Sequence, residues 1–281
     1  MGDLALAQVV SFLAAPFVAS LILTGIHAYL GVHVVERGVI FVDLSLAQIA
    51  ALGATIALFL PGSTGDPHAP SVYWTSLGFT FIGAAIFSLV RVRRSRIPQE
   101  AIIGISYAVA SAAAILAMSK STSQAEHLKD MLVGNIIAVS WGEVAKTAAL
   151  YGAVGIFHFI FRRQFLAISM QHDEPERTGL NVRLWDFLFY ASFGFVVTSS
   201  VAIAGVLLVF CYLIVPSVAA MLYAESIGRR LAIGWTMGTV VSAAGVYLSL
   251  ILDLPTGATI VCTFGVALIV MWFVRPVLKR A

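Results

Sequence analysis

The sequence predicts an all-α polytopic membrane protein, with about eight to nine transmembrane helices and one short helix at a membrane face. The first observation behind this prediction is composition: of 281 residues, 60% are hydrophobic and only 11% are charged. A soluble domain carries about 25% charged residues, so this chain has too few to cover a surface that faces water. The second observation is a series of apolar runs of about 20 residues, the length that crosses roughly 30 Å of hydrocarbon.

These runs follow one another with short links, which leave no room for a separate soluble domain. We therefore treat residues 1–281 as one transmembrane domain. The N-terminal run lacks the basic start of a signal peptide and is long enough to remain as a span. The predicted spans lie near residues 5–34, 39–60, 72–90, 99–118, 143–161, 184–201, 203–224, 231–252 and 256–274.

Basic residues gather on one side of this arrangement. With nine spans and the N-terminus outside, the inner segments hold nearly all of the arginines, whereas the outer links keep little more than Lys120 and Lys129. Cytoplasmic loops are enriched in Lys and Arg. The sequence therefore predicts that the C-terminus and the polar segment 161–185 lie in the cytoplasm.

Segment 161–185 is the longest strongly polar passage in the chain. Asp173, Glu174 and Pro175 suit the start of a short helix, because acidic residues favour a helix N-terminus and Pro is tolerated in the first turn. Gly179 suits the left-handed residue that closes a helix. We predict a short amphipathic helix that a soluble protein can grip, although an ordinary interhelical loop fits the same residues.

A few polar residues fall inside the predicted spans. Asp43 and Gln48 share one span, and His27 lies deep in the preceding one. An ionisable group in hydrocarbon costs about 2.5–3.5 kcal/mol, so a deeply placed one usually has a task. Imidazole and carboxylate suit zinc or manganese, whereas an amide is a weak ligand. Asp43 and His27 are therefore candidate metal ligands, and Gln48 is a candidate for the lining of a path.

Other residues have simpler explanations. Pro216 removes a backbone donor and frees a carbonyl, which either lines a cavity or only kinks the span. Gly234, Gly238 and Ser242 recur at four-residue steps and predict close approach of a neighbouring helix. A last group is expected near span ends, within reach of water: His33, Glu36, His158 and Asp186.

Missing motifs exclude several functions. The chain contains neither the GxxxxGK[ST] loop that cradles nucleotide phosphates nor an HExxH metalloprotease motif. An intramembrane enzyme is therefore disfavoured. The chain is predicted not to be an enzyme.

The polar segment 161–185, which resembles the family's coupling segment, and five further stretches together resemble the membrane permease of the zinc/manganese class of ABC importers. The first, RGVIFVDLSLAQIAALG (37–53), is similar to the family's arginine-led second span. The second and third are AIIGISYAVAS (101–111) and LVGNIIAVSWGEV (132–144). The last two, LIVPSVAAMLYA (213–224) and DLPTGATIVC (253–262), are similar to the family's Pro-containing span and its Pro-x-Gly turn.

This resemblance implies a transport subunit of a bacterial-type plasma (inner) membrane that works as a homodimer. A separate ATPase would use ATP and grip a coupling helix, and a solute-binding protein outside would deliver a divalent metal. It implies no permanently bound cofactor and no nucleic-acid partner. The implied coupling residues are Asp173, Glu174, Pro175, Glu176 and Gly179.

The chain departs from the family at the metal path. The family has an aspartate and, four residues later, a histidine in its second span; those positions are Leu44 and Gln48 here, with Asp43 displaced by one residue. His27, Asp43, Gln48 and Pro216 are the candidate path residues. The departure leaves open a metal chelate or another small cargo, and a secondary transporter or channel that needs no ATPase.

Overall fold

A computed structural model describes residues 2–61, 69–90, 98–119, 136–170 and 179–278, with main chain only for 2–12 and 276–278. All regular elements in these ranges are helical, which confirms the all-α prediction for this part of the chain. The helices are α1 (Gly2–Glu36), α2 (Val42–Leu58), α3 (Pro70–Val90), α4 (Gln99–Met118), a 3₁₀ turn (Ile136–Ala138), α5 (Trp141–Ile160), α6 (Arg162–Met170), α7 (Val182–Tyr223), α8 (Ile227–Leu252) and α9 (Thr256–Leu278).

Among the described residues, six helices are long and apolar enough to cross a membrane. A seventh results if α5 and α6, which are bent by 75° at their junction, form one span. Helix α2 is apolar but has only 17 residues. The structure thus supports a multi-pass membrane protein, while the predicted count of eight to nine spans is not confirmed.

Helix α7 is interrupted at Gly205, where φ is 73° and ψ is 162°. At 1.5 Å per residue its 42 residues would measure roughly 63 Å if straight, about twice the hydrocarbon thickness. Only glycine adopts such dihedral angles readily. The sequence predicted two spans here, and the break at Gly205 separates two helical runs near the predicted division.

The chain forms two compact units. Unit 1 comprises Met1–Val35, Leu132–Ala153 and Ala202–Ala281, and unit 2 comprises Glu36–Met131 and Val154–Val201. Each unit is therefore assembled from separate stretches of sequence. That the whole chain is one domain remains a prediction.

Within unit 1, α8 packs closely on α1 and on the C-terminal part of α7. A Cβ atom added to Gly238 would lie 2.3 Å from Cγ2 of Thr24, and one added to Gly234 would lie 3.5 Å from the carbonyl oxygen of Pro216. Ser242 donates a hydrogen bond from its hydroxyl to Tyr212 at 3.4 Å. The prediction of close helix approach at these small residues is confirmed.

Within unit 2, α2 packs against α3 and α4. A Cβ atom on Gly53 would lie 2.9 Å from Cα of Ser76, so the backbones of α2 and α3 nearly touch. The Ser76 hydroxyl donates to the Ala50 carbonyl at 2.7 Å across the same contact. Small residues thus place α2 firmly beside α3.

The expectation that His33, His158 and Asp186 reach water is wrong, because their exposed fractions are 1%, 1% and 0%. Buried polar groups need partners within the protein. His158 hydrogen-bonds through Nε2 to the Ser192 hydroxyl at 2.8 Å and stacks on Phe165, with the ring centroids 4.2 Å apart. Asp186 forms an ion pair, described below.

Candidate coupling and translocation sites

Arg37 lies in the link between α1 and α2, yet its exposed fraction is only 2%. Its Nη1 donates to Oδ1 of Asp186 at 2.7 Å, and its Nε donates to the hydroxyl of Ser169 at 2.8 Å. Asp186 is near the start of α7, and Ser169 is in the last turn of α6. One guanidinium therefore connects three elements of unit 2 through charge-assisted hydrogen bonds.

An aromatic ring lies against this guanidinium. The guanidinium carbon of Arg37, Cζ, lies 3.9 Å from the ring centroid of Phe189, which is a cation–π contact. The His158 ring lies edge-on to Phe189, with centroids 5.9 Å apart. Gly38 follows Arg37 with φ of +66°, so the main chain turns into α2 through a conformation that favours glycine.

A second polar group fixes the beginning of α2. The backbone N–H of Phe41 donates to Oε1 of Glu100 at 3.0 Å, which supplies the cap that Phe41 itself lacks. Next to it, Gln99 donates through Nε2 to the Phe87 carbonyl at 3.0 Å and to the Tyr190 hydroxyl at 3.2 Å. The first residues of α4 thus hold α2, α3 and α7 together at this end of unit 2.

Asp43 lies in the first turn of α2, with an exposed fraction of 1%. Its Oδ1 and the hydroxyl of Ser45 are both buried without a hydrogen-bond partner among the described residues. Burying a carboxylate oxygen without a partner is costly, so such an atom suits a ligand site. Gln48 and Leu44, on the same helix, are half-buried.

His27 is fully buried in α1 of unit 1. Its Nδ1 lies 2.8 Å from the Leu23 carbonyl oxygen, and since a carbonyl only accepts, Nδ1 carries the proton. Nε2 is then the basic nitrogen of the neutral ring, an arrangement common in metal-binding histidines. The ring also lies edge-on to Tyr151, with centroids 6.2 Å apart.

Pro216 is buried in the same unit, where its carbonyl faces Gly234 of α8. The hydroxyl of the next residue, Ser217, donates to the Leu213 carbonyl at 2.8 Å and to the Ala28 carbonyl of α1 at 3.3 Å. The Pro-containing part of α7 is therefore packed between two helices. Its role in a path remains a prediction.

The two predicted metal ligands belong to different units, His27 to unit 1 and Asp43 to unit 2. Within the ranges that the structure describes, no group of three or more His, Cys, Asp or Glu side chains is placed to hold a metal ion. The assignments of Asp43 and His27 as ligands, and of Gln48 and Pro216 as path residues, therefore remain predictions.

The predicted coupling residues are mostly outside the described part of the chain, namely Asp173, Glu174, Pro175 and Glu176. Gly179 is described, and its φ of +70° confirms the left-handed conformation predicted for it. The described helix of the polar segment is α6, Arg162–Met170, which begins earlier than the predicted one.

The sequence indicated Arg37 as a cytoplasmic charge and as the first residue of the family-like stretch 37–53, but it did not indicate that Arg37 is a site residue. The pairing had one detectable sign: Arg37 and Asp186 are opposite charges at predicted span ends on the same membrane face. A second overlooked feature is the capping box at the start of α5. There the Ser140 backbone N–H donates to Oε2 of Glu143 at 2.8 Å, and the Ser140 hydroxyl accepts from the Glu143 N–H at 3.3 Å.

Long apolar helices, small-residue packing and buried charged groups near the helix ends define a multi-pass membrane protein. The match to a known family makes this specific: residues 9–275 match the ABC 3 transport family, and the chain belongs to it. The ABC-type resemblance predicted from the sequence is confirmed.

Several relatives match this chain over most of its length. The chain is 24% identical over 273 residues to a manganese transport system membrane protein, MntC, of Listeria monocytogenes, covering 95% of this chain and 91% of the relative. It is 23% identical over 257 residues to a chelated iron transport system membrane protein, YfeC, of Yersinia pestis, with coverages of 92% and 84%. A manganese import system permease protein, ScaB, of Streptococcus parasanguinis is 25% identical over 205 residues, with coverages of 70% and 72%.

Two solved structures share the fold. PsaBC from Streptococcus pneumoniae, solved in complex with a Fab, superimposes with a TM-score of 0.77 at 22% identity, covering 94% of this chain and 91% of that one. An inward-facing ABC transporter of the metal-chelate type gives a TM-score of 0.72 at 17% identity, with coverages of 96% and 89%.

Proposed function

We propose that this chain is the transmembrane permease subunit of an ABC importer that moves a divalent metal ion of the zinc or manganese class into the cytoplasm. The observation that carries the proposal is the family match, which spans residues 9–275. A separate ATPase subunit would supply the energy. The absence of a phosphate-binding GxxxxGK[ST] motif from the sequence agrees with this division of labour.

The cargo assignment rests on two kinds of support. Relatives along nearly the whole chain carry names of manganese and iron transport proteins. In this chain, Asp43 buries a carboxylate oxygen that has no partner among the described residues, and hard or borderline cations favour carboxylate ligands. Asp43 and His27 are the proposed metal ligands, and Gln48 and Pro216 are the proposed path residues.

The proposed partners follow from the same family. An ATPase would bind on the cytoplasmic side at Asp173, Glu174, Pro175, Glu176 and Gly179. A solute-binding protein would deliver the metal from outside. Two copies of the permease would form the path at a twofold axis, the common closed symmetry of homodimers. The proposed location is a bacterial-type plasma membrane, with the C-terminus in the cytoplasm.

A metal chelate is the second candidate cargo. Gln48 favours it, because an amide stands where the family resemblance places a histidine, and an amide binds metal weakly but hydrogen-bonds well to a chelating group. One relative is named for chelated iron, and one structural neighbour is a transporter of the metal-chelate type. A secondary transporter or channel remains the alternative that requires no ATPase.

The test begins with purification of the protein from its native membrane in mild detergent, with mass spectrometry of the proteins that accompany it. We expect an ATPase subunit to co-purify. Reconstituted into proteoliposomes with that ATPase and ATP, and supplied with the solute-binding protein, the complex should accumulate Mn²⁺ or Zn²⁺, and accumulation should stop when ATP is replaced by a non-hydrolysable analogue. Uptake that is indifferent to ATP would overturn the importer proposal. Uptake of chelated but not free metal would select the second cargo.

A further inference from the structure

We propose that Arg37 is a positioning residue that links displacements of the end of α6 and of the start of α7 to the start of α2. This inference rests on the proposed function, because it assigns a route by which the ATPase acts on the metal path. All of the contacts that carry it lie within unit 2.

Arg37 contacts both helices that border the coupling segment. Ser169 precedes the end of α6 at Met170, and Asp186 follows the start of α7 at Val182. The two donated hydrogen bonds, at 2.8 Å and 2.7 Å, leave from different nitrogens of one planar group. Hydrogen bonds weaken steeply with distance and angle, so a displacement of α6 or α7 moves the guanidinium or breaks a contact.

Arg37 also sits directly before α2. Gly38, with φ of +66°, and the turn in which the Val42 N–H donates to the Val39 carbonyl at 3.1 Å separate it from the helix. Asp43 lies in the first turn of that helix. Five residues separate Arg37 from Asp43, and the hydrogen-bonded turn constrains this stretch, so a shift of the Arg37 main chain is carried into the first turn of α2.

The contacts of Arg37 fit a role in coupling helix displacements better than a role in only holding the helices together. Packed apolar side chains would hold the same elements together without the desolvation of two charges. A guanidinium group instead fixes direction, since Nε and Nη1 have separate acceptors on α6 and α7 and the face of the group rests on Phe189 at 3.9 Å. This geometry couples the positions of α6, α7 and α2 rather than only their proximity.

The experiment compares uptake per ATP in proteoliposomes that contain the permease and the co-purified ATPase and are supplied with the solute-binding protein and Mn²⁺. The variants are Arg37→Gln, Arg37→Lys and Ser169→Ala, and the matched control is Arg229→Gln, an exposed arginine of unit 1. Ser169→Ala removes one hydroxyl and is the variant least able to disturb folding. The amount of ATPase bound per permease is measured in parallel.

We expect Arg37→Gln to bind the ATPase at the wild-type ratio but to lose at least tenfold in Mn²⁺ uptake per ATP hydrolysed. Arg37→Lys should retain part of the coupling, and Ser169→Ala should lose a few-fold. Arg229→Gln should match the wild type. The inference is overturned if both Arg37→Gln and Ser169→Ala keep the wild-type ratio of uptake to hydrolysis, or if their losses only follow reduced ATPase binding.

The wild-type protein separates this inference from the proposed function. If the wild type shows no ATP-dependent Mn²⁺ or Zn²⁺ uptake, the proposed function fails and this inference fails with it. If the wild type transports and all Arg37 and Ser169 variants couple normally, only this inference fails.

Discussion

Arg37 and Asp186 form an ion pair with 2.7 Å between Nη1 and Oδ1, and the exposed fractions of their side chains are 1% and 0%. The two residues are 149 positions apart in sequence. Arg37 lies shortly before the beginning of α2, and Asp186 follows the polar segment 161–185. Removing one partner of a buried pair leaves a charge without compensation, whereas removing both leaves none.

The first prediction concerns stability. Asp186→Leu should lower the free energy of unfolding by about 3–5 kcal/mol, because it strands the Arg37 guanidinium. The double variant Arg37→Met with Asp186→Leu should recover most of this loss. Thermal unfolding in detergent, followed by size-exclusion fluorescence, measures both. Equal losses in the single and double variants would show that the pair is not what stabilises this cluster.

The second prediction concerns the contact between α8 and α1. Gly238→Ala should destabilise by about 1–3 kcal/mol, since its Cβ would lie 2.3 Å from Cγ2 of Thr24. Thr24→Ser removes that methyl group and keeps the hydroxyl, so the double variant should fold nearly as well as the wild type. The matched control is Gly265→Ala in α9, where the added Cβ meets nothing within 4 Å. The same unfolding assay ranks the three.

If Gly265→Ala destabilised as much as Gly238→Ala, the effect would belong to glycine in general and not to this contact. A helix interior favours Ala over Gly by about 0.5–1 kcal/mol, so the control should be neutral or slightly stabilising. The change in unfolding free energy should therefore be destabilising for Gly238→Ala but neutral or slightly stabilising for Gly265→Ala, which separates the two explanations.

How much of this was predictable depends on the range of the interaction. The helix class, the close packing at Gly238 and the left-handed Gly179 follow from composition, spacing and local conformation, all of which are local properties. The Arg37–Asp186 pair is not local: its partners are far apart along the chain, and only folding brings them together. The burial of His158 against Phe165 was missed for the same reason, since a position near a span end does not reveal what packs over it.

The third prediction concerns the break in α7. Gly205→Ala should destabilise the protein by about 1–3 kcal/mol, because φ of 73° with ψ of 162° is a conformation that alanine avoids. The substitution favours a continuous helix, so proper assembly in the membrane should fall. Gly152→Ala in α5 is the control, with open space at its Cβ. Protease accessibility in the membrane reports assembly, and thermal unfolding in detergent reports stability.

The fourth prediction concerns Asp43. Asp43→Asn is nearly isosteric and should reduce Mn²⁺ uptake at least tenfold, because an amide replaces the buried carboxylate proposed as a metal ligand. Asp253→Asn is the matched control: Asp253 is exposed, and its φ of 52° is one that Asn also tolerates. Initial rates over a range of Mn²⁺ concentrations measure both variants.

Gln48 is tested in the same assay. Gln48→Ala should change the Michaelis constant for the cargo, and Gln48→His should lower the constant for Zn²⁺, since imidazole is the stronger ligand. Unchanged kinetics in both variants would place the cargo ligands elsewhere, and equal losses in Asp43→Asn and Asp253→Asn would remove the special role of Asp43.

The fifth prediction concerns the coupling segment and uses an ordered series at Gly179. Its φ is +70°, and a Cβ at this position would meet nothing within 4 Å, so backbone conformation alone decides the cost of a substitution. Asn visits the left-handed region more readily than Ala, and Pro is fixed near −65°. ATP-dependent uptake should therefore fall in the order Gly, Asn, Ala, Pro, with Gly179→Pro inactive, while all variants insert into the membrane at wild-type amounts.

Charge reversal at Asp173 and Glu174 should also abolish uptake and the co-purification of the ATPase, because basic residues disfavour the start of the proposed coupling helix, where acids are favourable. Arg229→Gln again serves as the control for a charge change on the same predicted face. Normal uptake in Gly179→Pro and in the charge-reversed variant would show that the ATPase does not act through this segment. Retained ATPase binding with lost uptake in Gly179→Pro would instead locate the defect after docking, in the route that leads through α6, α7 and Arg37.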